Sequence, residues 1–335
     1  MKKSTFILLS LFQTAAFAQT ICTMTFNSSD ERRIFQKELQ PLGHKFIELV
    51  PENKDPFWLI KSCQALQTAG DQCDSLLISG HFGGLFFGEQ RSTTMSLAEM
   101  LETKKQGLCP AIFEKPQSVF LMGCNTLSGK TPDHRSVSDY LRVLVGDGFP
   151  LDLAENVAAA RYLSFGQSMS DQMQTIFNNA KLVAGFESTG PLGVAAAPLL
   201  TKAFQNTPSS VKQTDLISKD ALKSAFAKTN LRVIEPAKNP DQNILQEALS
   251  KNSSTAQAAW LKLLDAKNTN LYFNFILENK SHPILKSILQ SSSEIKKSLI
   301  QSINSIYNKT TGLAAIQRGI NAFALEHQMI DQMTY

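Results

Sequence analysis

Two residues combine reactive chemistry with a telling position. His81 closes the stretch Leu76-Leu77-Ile78-Ser79-Gly80-His81 and is followed by Phe82-Gly83-Gly84; Cys124 closes Val119-Phe120-Leu121-Met122-Gly123-Cys124 and is followed by Asn125-Thr126. Each follows a short apolar run and stands next to glycine. A thiol attacks a carbonyl carbon only as thiolate, and a neighbouring imidazole that takes its proton is the usual activating device. The flanking glycines let backbone approach a substrate closely, and the Cys124 amide is available to stabilise the oxyanion of an acyl transfer. Taken singly, each residue has a plainer reading, since free cysteine is among the most buried residue types and behaves as a small hydrophobe. It is their joint placement that points to a Cys-His dyad.

For the two side chains to meet, their apolar runs must be adjacent parallel strands. Leu76-Leu77-Ile78 and Val119-Phe120-Leu121 are continuous apolar runs, as central strands covered on both faces require. Around them, from Ile21 to about Thr207, short runs of strand formers alternate with helical spacing. The pattern predicts strands at 22–26, 44–50, 74–79, 118–122 and 182–186. It predicts helices at 30–39, 56–68, 96–104, 136–162 with a break at 146–150, and 197–205. Asn27-Ser28-Ser29-Asp30 and Ser96 supply N-cap chemistry. The expected fold is α/β, a three-layer α/β/α sandwich with a mostly parallel central sheet. In such a sheet both reactive residues emerge at the carboxyl edge, where ligand crevices form. Beyond about Ser209 polar residues rise and apolar ones recur at helical intervals in 244–249, 256–264, 284–289 and 295–306, so a helical C-terminal region is expected; 231–234 reads as a late strand. The implied division is residues 1–18 as an export signal, 19–235 as the α/β domain and 241–335 as the helical region.

The two strand ends resemble the caspase-like cysteine peptidases, which include caspases, legumains, gingipains, separases and bacterial CHAT domains. That superfamily has an apolar strand ending in His-Gly and a later one ending in Ala-Cys or Gly-Cys. The matching residues are Gly80-His81 and Gly123-Cys124. Phe120-Leu121-Met122-Gly123-Cys124-Asn125 looks like the separase strand, and Ser96-Leu97-Ala98-Glu99-Met100 like the helix start between the two sites of CHAT domains. The resemblance, over 21–205, implies a caspase-like fold with His81 and Cys124 as the catalytic pair. It also implies Leu182-Val183-Ala184-Gly185-Phe186-Glu187-Ser188 as the strand bordering the primary specificity pocket. Phe186, Glu187 and Ser188 become candidate substrate-binding residues, Glu187 as a selector of basic side chains or as an ordinary surface carboxylate. In one respect the chain departs from the pattern. The family's histidine is followed directly by the glycine whose amide contributes to the oxyanion hole, and here Phe82 intervenes before Gly83. Either Gly83 takes that role in a reshaped loop, or activity is impaired and the domain serves binding.

Composition bears on compartment and partners. Met1-Lys2-Lys3, an apolar run from Phe6 to Phe12 and Ala16-Phe17-Ala18 form the charged, apolar and small-residue succession of a secretory signal, so an exported, periplasmic or secreted protein is expected. No stretch reaches the roughly 20 apolar residues of a membrane span. The formal charge is +4 with both signs mixed along the chain, which is no nucleic-acid footprint; the expected partner is a polypeptide substrate. Five cysteines are an odd count where disulfides form. Cys22, Cys63, Cys73 and Cys109 make an even set that leaves Cys124 free, although Cys109, beside Pro110, is another candidate for the odd thiol. The histidines are too dispersed for a metal site, so no metal or other cofactor is expected. Asp133-His134 lies close enough in sequence to Cys124 to orient the site, or is a solvated loop pair. A rival reading takes His81-Phe82-Gly83-Gly84 as a lipase-type oxyanion loop and Gly166-Gln167-Ser168-Met169-Ser170 as a nucleophile elbow, with His282 or His327 completing a triad. Ser170, where the elbow needs glycine, weighs against Ser168 as a nucleophile.

Overall fold

The computed structural model describes residues 18–51, 55–88, 93–130, 135–162, 167–236, 258, 289–290, 293–310, 313–327 and 329. Six strands form the central sheet: β1 (Thr20–Thr25), β2 (Lys45–Glu48), β3 (Ser75–Ser79), β7 (Ser118–Met122), β8 (Leu182–Phe186) and β9 (Leu231–Ile234), in the order β2-β1-β3-β7-β8-β9. The first five run parallel, and β9 returns antiparallel to β8. This is the α/β, mostly parallel three-layer arrangement expected from the apolar runs. Every residue of β3 and β7 is buried, which is why neither run needs polar alternation.

The strand period sorts side chains onto two cores. Met24, Leu76, Ile78, Val119, Leu121 and Val183 face one cluster; Ile21, Leu77, Phe120, Met122, Ala184 and Phe186 face the other. Residues of α2 (Trp58–Ala69), α3 (Leu97–Lys105), α4 (Pro110–Phe113), α5 (Val137–Gly146), α6 (Leu151–Tyr162) and α7 (Met169–Ile176) join the first cluster. Residues of α1 (Asp30–Leu39), α8 (Ala197–Gln205) and α10 (Lys219–Ala225) join the second, with α9 (Ser209–Thr214) between the last two in sequence. Ser96 caps α3 by accepting from the Glu99 amide, as its position predicts. Cluster-forming phenylalanines carry much of the second core: the ring of Phe35 on α1 stands edge-on to Phe120 and Phe204, each at 5.1 Å between centroids.

A small second sheet was not foreseen in the sequence. β4 (His81–Phe82), β5 (Leu85–Phe87) and β6 (Thr94–Ser96) pair antiparallel directly after β3. In the C-terminal region the described residues form two helices, α11 (Ser293–Lys309) and α12 (Ala314–Glu326), and α12 packs against α6. Helical character therefore holds over the expected 295–306 stretch; the other predicted C-terminal stretches lie mostly outside the described residues, as does the export signal up to Phe17. Among the described residues no helix is long and apolar enough to cross a membrane.

Candidate functional site

The topology places the site before any side chain is considered. From β1 the chain steps outward to β2, then crosses back to lay β3 on the other side of β1. Connections on either side of that reversal leave on opposite faces, α1 with one core cluster and α2 with the other, so a crevice opens at the carboxyl ends of β1 and β3. His81 lies at the β3 side of this crevice. The neighbouring β7 is in register, with Ser79 opposite Met122, and the Gly80 amide donates to the Met122 carbonyl at 3.1 Å. His81 and Cys124 each lie two residues beyond that matched pair, so the sheet delivers both to one edge. Both are partly exposed.

His81 is held from two sides. Its ring lies 5.4 Å from that of Phe87, its cross-strand partner on β5. Its Nε2 is 3.4 Å from Nδ2 of Asn27, which follows the end of β1. If the Asn27 amide donates here, Nε2 is the acceptor and the ring proton sits on Nδ1. Asn27 is a site residue that sequence reasoning assigned only to the N-cap cluster of α1. That cap is weaker than expected, because Ser29 at the N-cap position makes no side-chain capping bond.

Phe82 alternates with His81 on β4 and turns inward, 5 % exposed, with its ring 4.6 Å from Phe86. The inserted aromatic therefore fills core space and leaves the edge clear. A Cβ at Gly123 would lie 2.9 Å from the Phe82 Cβ and 3.0 Å from the Gly80 carbonyl oxygen, so the glycine before the thiol is required by packing. At Gly84, φ is +95° and a Cβ would meet Val157 Cγ2 at 2.0 Å, which fixes glycine at the hairpin turn. Gly83, the other oxyanion candidate, donates its amide to the Leu85 carbonyl at 3.3 Å across that turn; serving a substrate requires giving up this bond.

Cys124 opens a turn locked to the next strand. Asn125 adopts φ +61° and donates its amide to the Ser188 carbonyl at 2.8 Å. Thr126 accepts from the Phe186 amide at 3.1 Å and donates to the Gly123 carbonyl at 3.1 Å. The Cys124 thiol donates to the Gly190 carbonyl at 3.7 Å. Among the described residues no acceptor faces the Cys124 amide, which leaves it available to an incoming oxygen. Cys124 is the free cysteine, because Cys22 bonds Cys73 and Cys63 bonds Cys109. That resolves the pairing left open by the sequence, and Cys109 is not the odd thiol.

The three residues at the end of β8 part company. Phe186 is fully buried against Phe226, so its side chain belongs to the core and not to a substrate surface. Glu187 is exposed and paired with Arg232 of β9 at 3.3 Å, a contact worth at most about 1 kcal/mol in water. A basic substrate side chain would compete with Arg232 for it. Ser188 is partly exposed and contributes its carbonyl to the Cys124 turn.

Ser168 has a structural task. It is the N-cap of α7: its hydroxyl accepts from the Asp171 amide and its own amide donates to Asp171 Oδ2 at 2.9 Å, a reciprocal capping box, and it is 3 % exposed. His327 is buried at the end of α12 against Phe323. Asp133, His134, Gly166 and His282 lie outside the described residues. Among the described residues, no group of three or more His, Cys, Asp or Glu is disposed to hold a metal ion. No family model, characterised protein or solved structure matches the chain.

Proposed function

We propose that this chain is an exported cysteine endopeptidase of the caspase-like kind, working through Cys124 and His81. The observation that carries the reading is the register of β3 and β7, which brings a free thiol and an imidazole to one edge of the sheet beside the topological crevice. In the proposed reaction His81 takes the Cys124 proton and the thiolate adds to the scissile carbonyl carbon. The oxyanion is held by the Cys124 amide, with Gly83 joining if its bond to Leu85 opens. His81 then protonates the leaving amine, and water hydrolyses the thioester to release acid and restore the thiol. Asn27 orients the imidazole through Nε2, and the cycle requires that its side-chain amide present Oδ1 to an Nε2–H, so that Nδ1 is the nitrogen that takes the thiol proton. The inward packing of Phe82 is compatible with it, since the departure from His-Gly puts no bulk at the edge. Two disulfides support export, because such bonds persist in oxidising compartments.

A binding module without catalysis is the second reading, favoured by the Gly83 amide being already engaged. A serine hydrolase using Ser168 is disfavoured by the capping box. The test is to treat the purified mature protein with a thiol-directed peptidyl probe and a peptide library, comparing wild type with Cys124→Ala, His81→Ala and Ser168→Ala. The expected result is loss of labelling in the first, and loss of cleavage by at least about a hundredfold in the first two. Cleavage that survives Cys124→Ala overturns the proposal, and a folded wild type that cleaves nothing favours the binding module.

A further inference from the structure

The loop between β8 and α8 crosses the carboxyl edge over the thiol, and it is fastened at its far end by a buried acid. Glu31, in the first turn of α1, is 1 % exposed and lies one helical turn before Phe35, facing the second core. Its Oε1 accepts from the Gly193 amide at 2.5 Å, while Oε2 is buried with no hydrogen-bond partner among the described residues. Gly193 is fitted to α1 by its backbone: φ is +55°, and a Cβ would lie 2.7 Å from Ser28 Oγ and 3.3 Å from Asp30 Oδ2. Only a residue without a side chain reaches the Glu31 carboxyl this way.

Upstream, the loop leans on the site. Gly190 lies over the Phe186 ring so closely that a Cβ would come within 2.4 Å, and its carbonyl receives the Cys124 S–H. The Ser188 carbonyl receives the Asn125 amide. From Ser188 to Gly193 the loop is thus pinned by backbone groups at the thiol and by one side chain, Glu31, at the other end. With the loop down, the Gly190 carbonyl stands against the sulfur and narrows the approach to it.

We infer that Glu31 is a positioning residue that fastens the Ser188–Gly193 loop across Cys124, so that its bond to Gly193 sets how readily the thiol is reached. Release of this latch frees the Gly190 carbonyl from the sulfur and opens the edge to an electrophile. The inference concerns thiol access alone and stands whether or not the chain cleaves peptides.

The experiment is the rate of alkylation of the mature protein by iodoacetamide at neutral pH, with Cys124→Ala as the blank. Glu31→Ala is expected to react about tenfold faster than wild type, the factor for loss of one hydrogen bond of ordinary strength. Glu31→Gln, which keeps an oxygen for the Gly193 amide, is expected to stay within about threefold of wild type. Gly193→Ala, which leaves Glu31 in place but obstructs the backbone fit, is expected to match Glu31→Ala. Hydrogen exchange should rise over 187–195 and stay unchanged over the β7 strand, separating latch release from general loosening. Wild-type reactivity in both Glu31→Ala and Gly193→Ala overturns the inference. So does a Glu31→Gln variant that reacts like Glu31→Ala, or exchange that rises equally in β7.

Discussion

A carboxyl group placed where water does not reach it makes its own demand on pH. Burial raises the Glu31 carboxyl above its ordinary 4.5, against the lowering effect of its bonds to the Gly193 amide and its own amide, and the neighbouring Asp30 charge adds to the rise. Because the folded form holds the proton more tightly than the unfolded one, the stabilising share of this group is complete below about pH 4.5 and is lost as pH rises through the folded value. Glu31→Gln removes that dependence while keeping an acceptor for Gly193. The melting temperature of wild type relative to Glu31→Gln is therefore expected to fall as pH is raised from about 4 to about 7. A difference that stays flat, or that rises, would show that the acid is not held protonated by burial. Residues of this sort are invisible in the sequence. Glu31 and Gly193 are far apart along the chain, and nothing in either segment announces the partner. Asn27 is similar: its contact with His81 exists because β1 and not β2 lies beside β3, which is a property of strand order and not of local pattern.

Elements record the same lesson more favourably. Continuous apolar runs made β3, β7 and β8 legible, and the Gly146 to Pro150 break divides α5 from α6 as expected. The strand at 231–234 was legible too, though its antiparallel sense was not. What escaped is the hairpin sheet β4-β5-β6, whose strands of two or three residues are too short to show a period and are interrupted by Gly83-Gly84. The helix α7 escaped for a different reason. Ser168 and Asp171 spell a capping box, but the nearby Gly166 drew attention to an elbow. Because β4 turns Phe82 under Gly123, these two positions are coupled: Gly123→Ala in wild type is expected to cost about 1–3 kcal/mol by overpacking. In a Phe82→Gly background, itself less stable by about 3–5 kcal/mol, that penalty is expected to shrink by at least about 0.5 kcal/mol, as measured by urea unfolding. Strict additivity would mean that the Gly80 carbonyl, and not Phe82, excludes the methyl group.

At the scale of the whole molecule, two cores on opposite faces of one sheet are reinforced by two covalent ties, both against the cluster that holds α2 to α7. Cys22–Cys73 joins the start of β1 to the approach to β3, and Cys63–Cys109 joins α2 to the start of α4. Their sequence separations of 51 and 46 correspond, in the chain-entropy account, to about 4 kcal/mol each. Reduction under native conditions is expected to lower the melting temperature by well over about 5 °C, and replacing either pair by serines to give part of that loss. An unchanged transition in reductant would remove the disulfides from any account of stability.

The same two ties have an order in time. All four of their cysteines precede Cys124 in the chain, so a polypeptide delivered N-terminus first presents both pairs before the fifth thiol arrives. For a chain exported as proposed, pairing in order of emergence is then expected to leave the last thiol, Cys124, unpaired, which is the pairing the structure has.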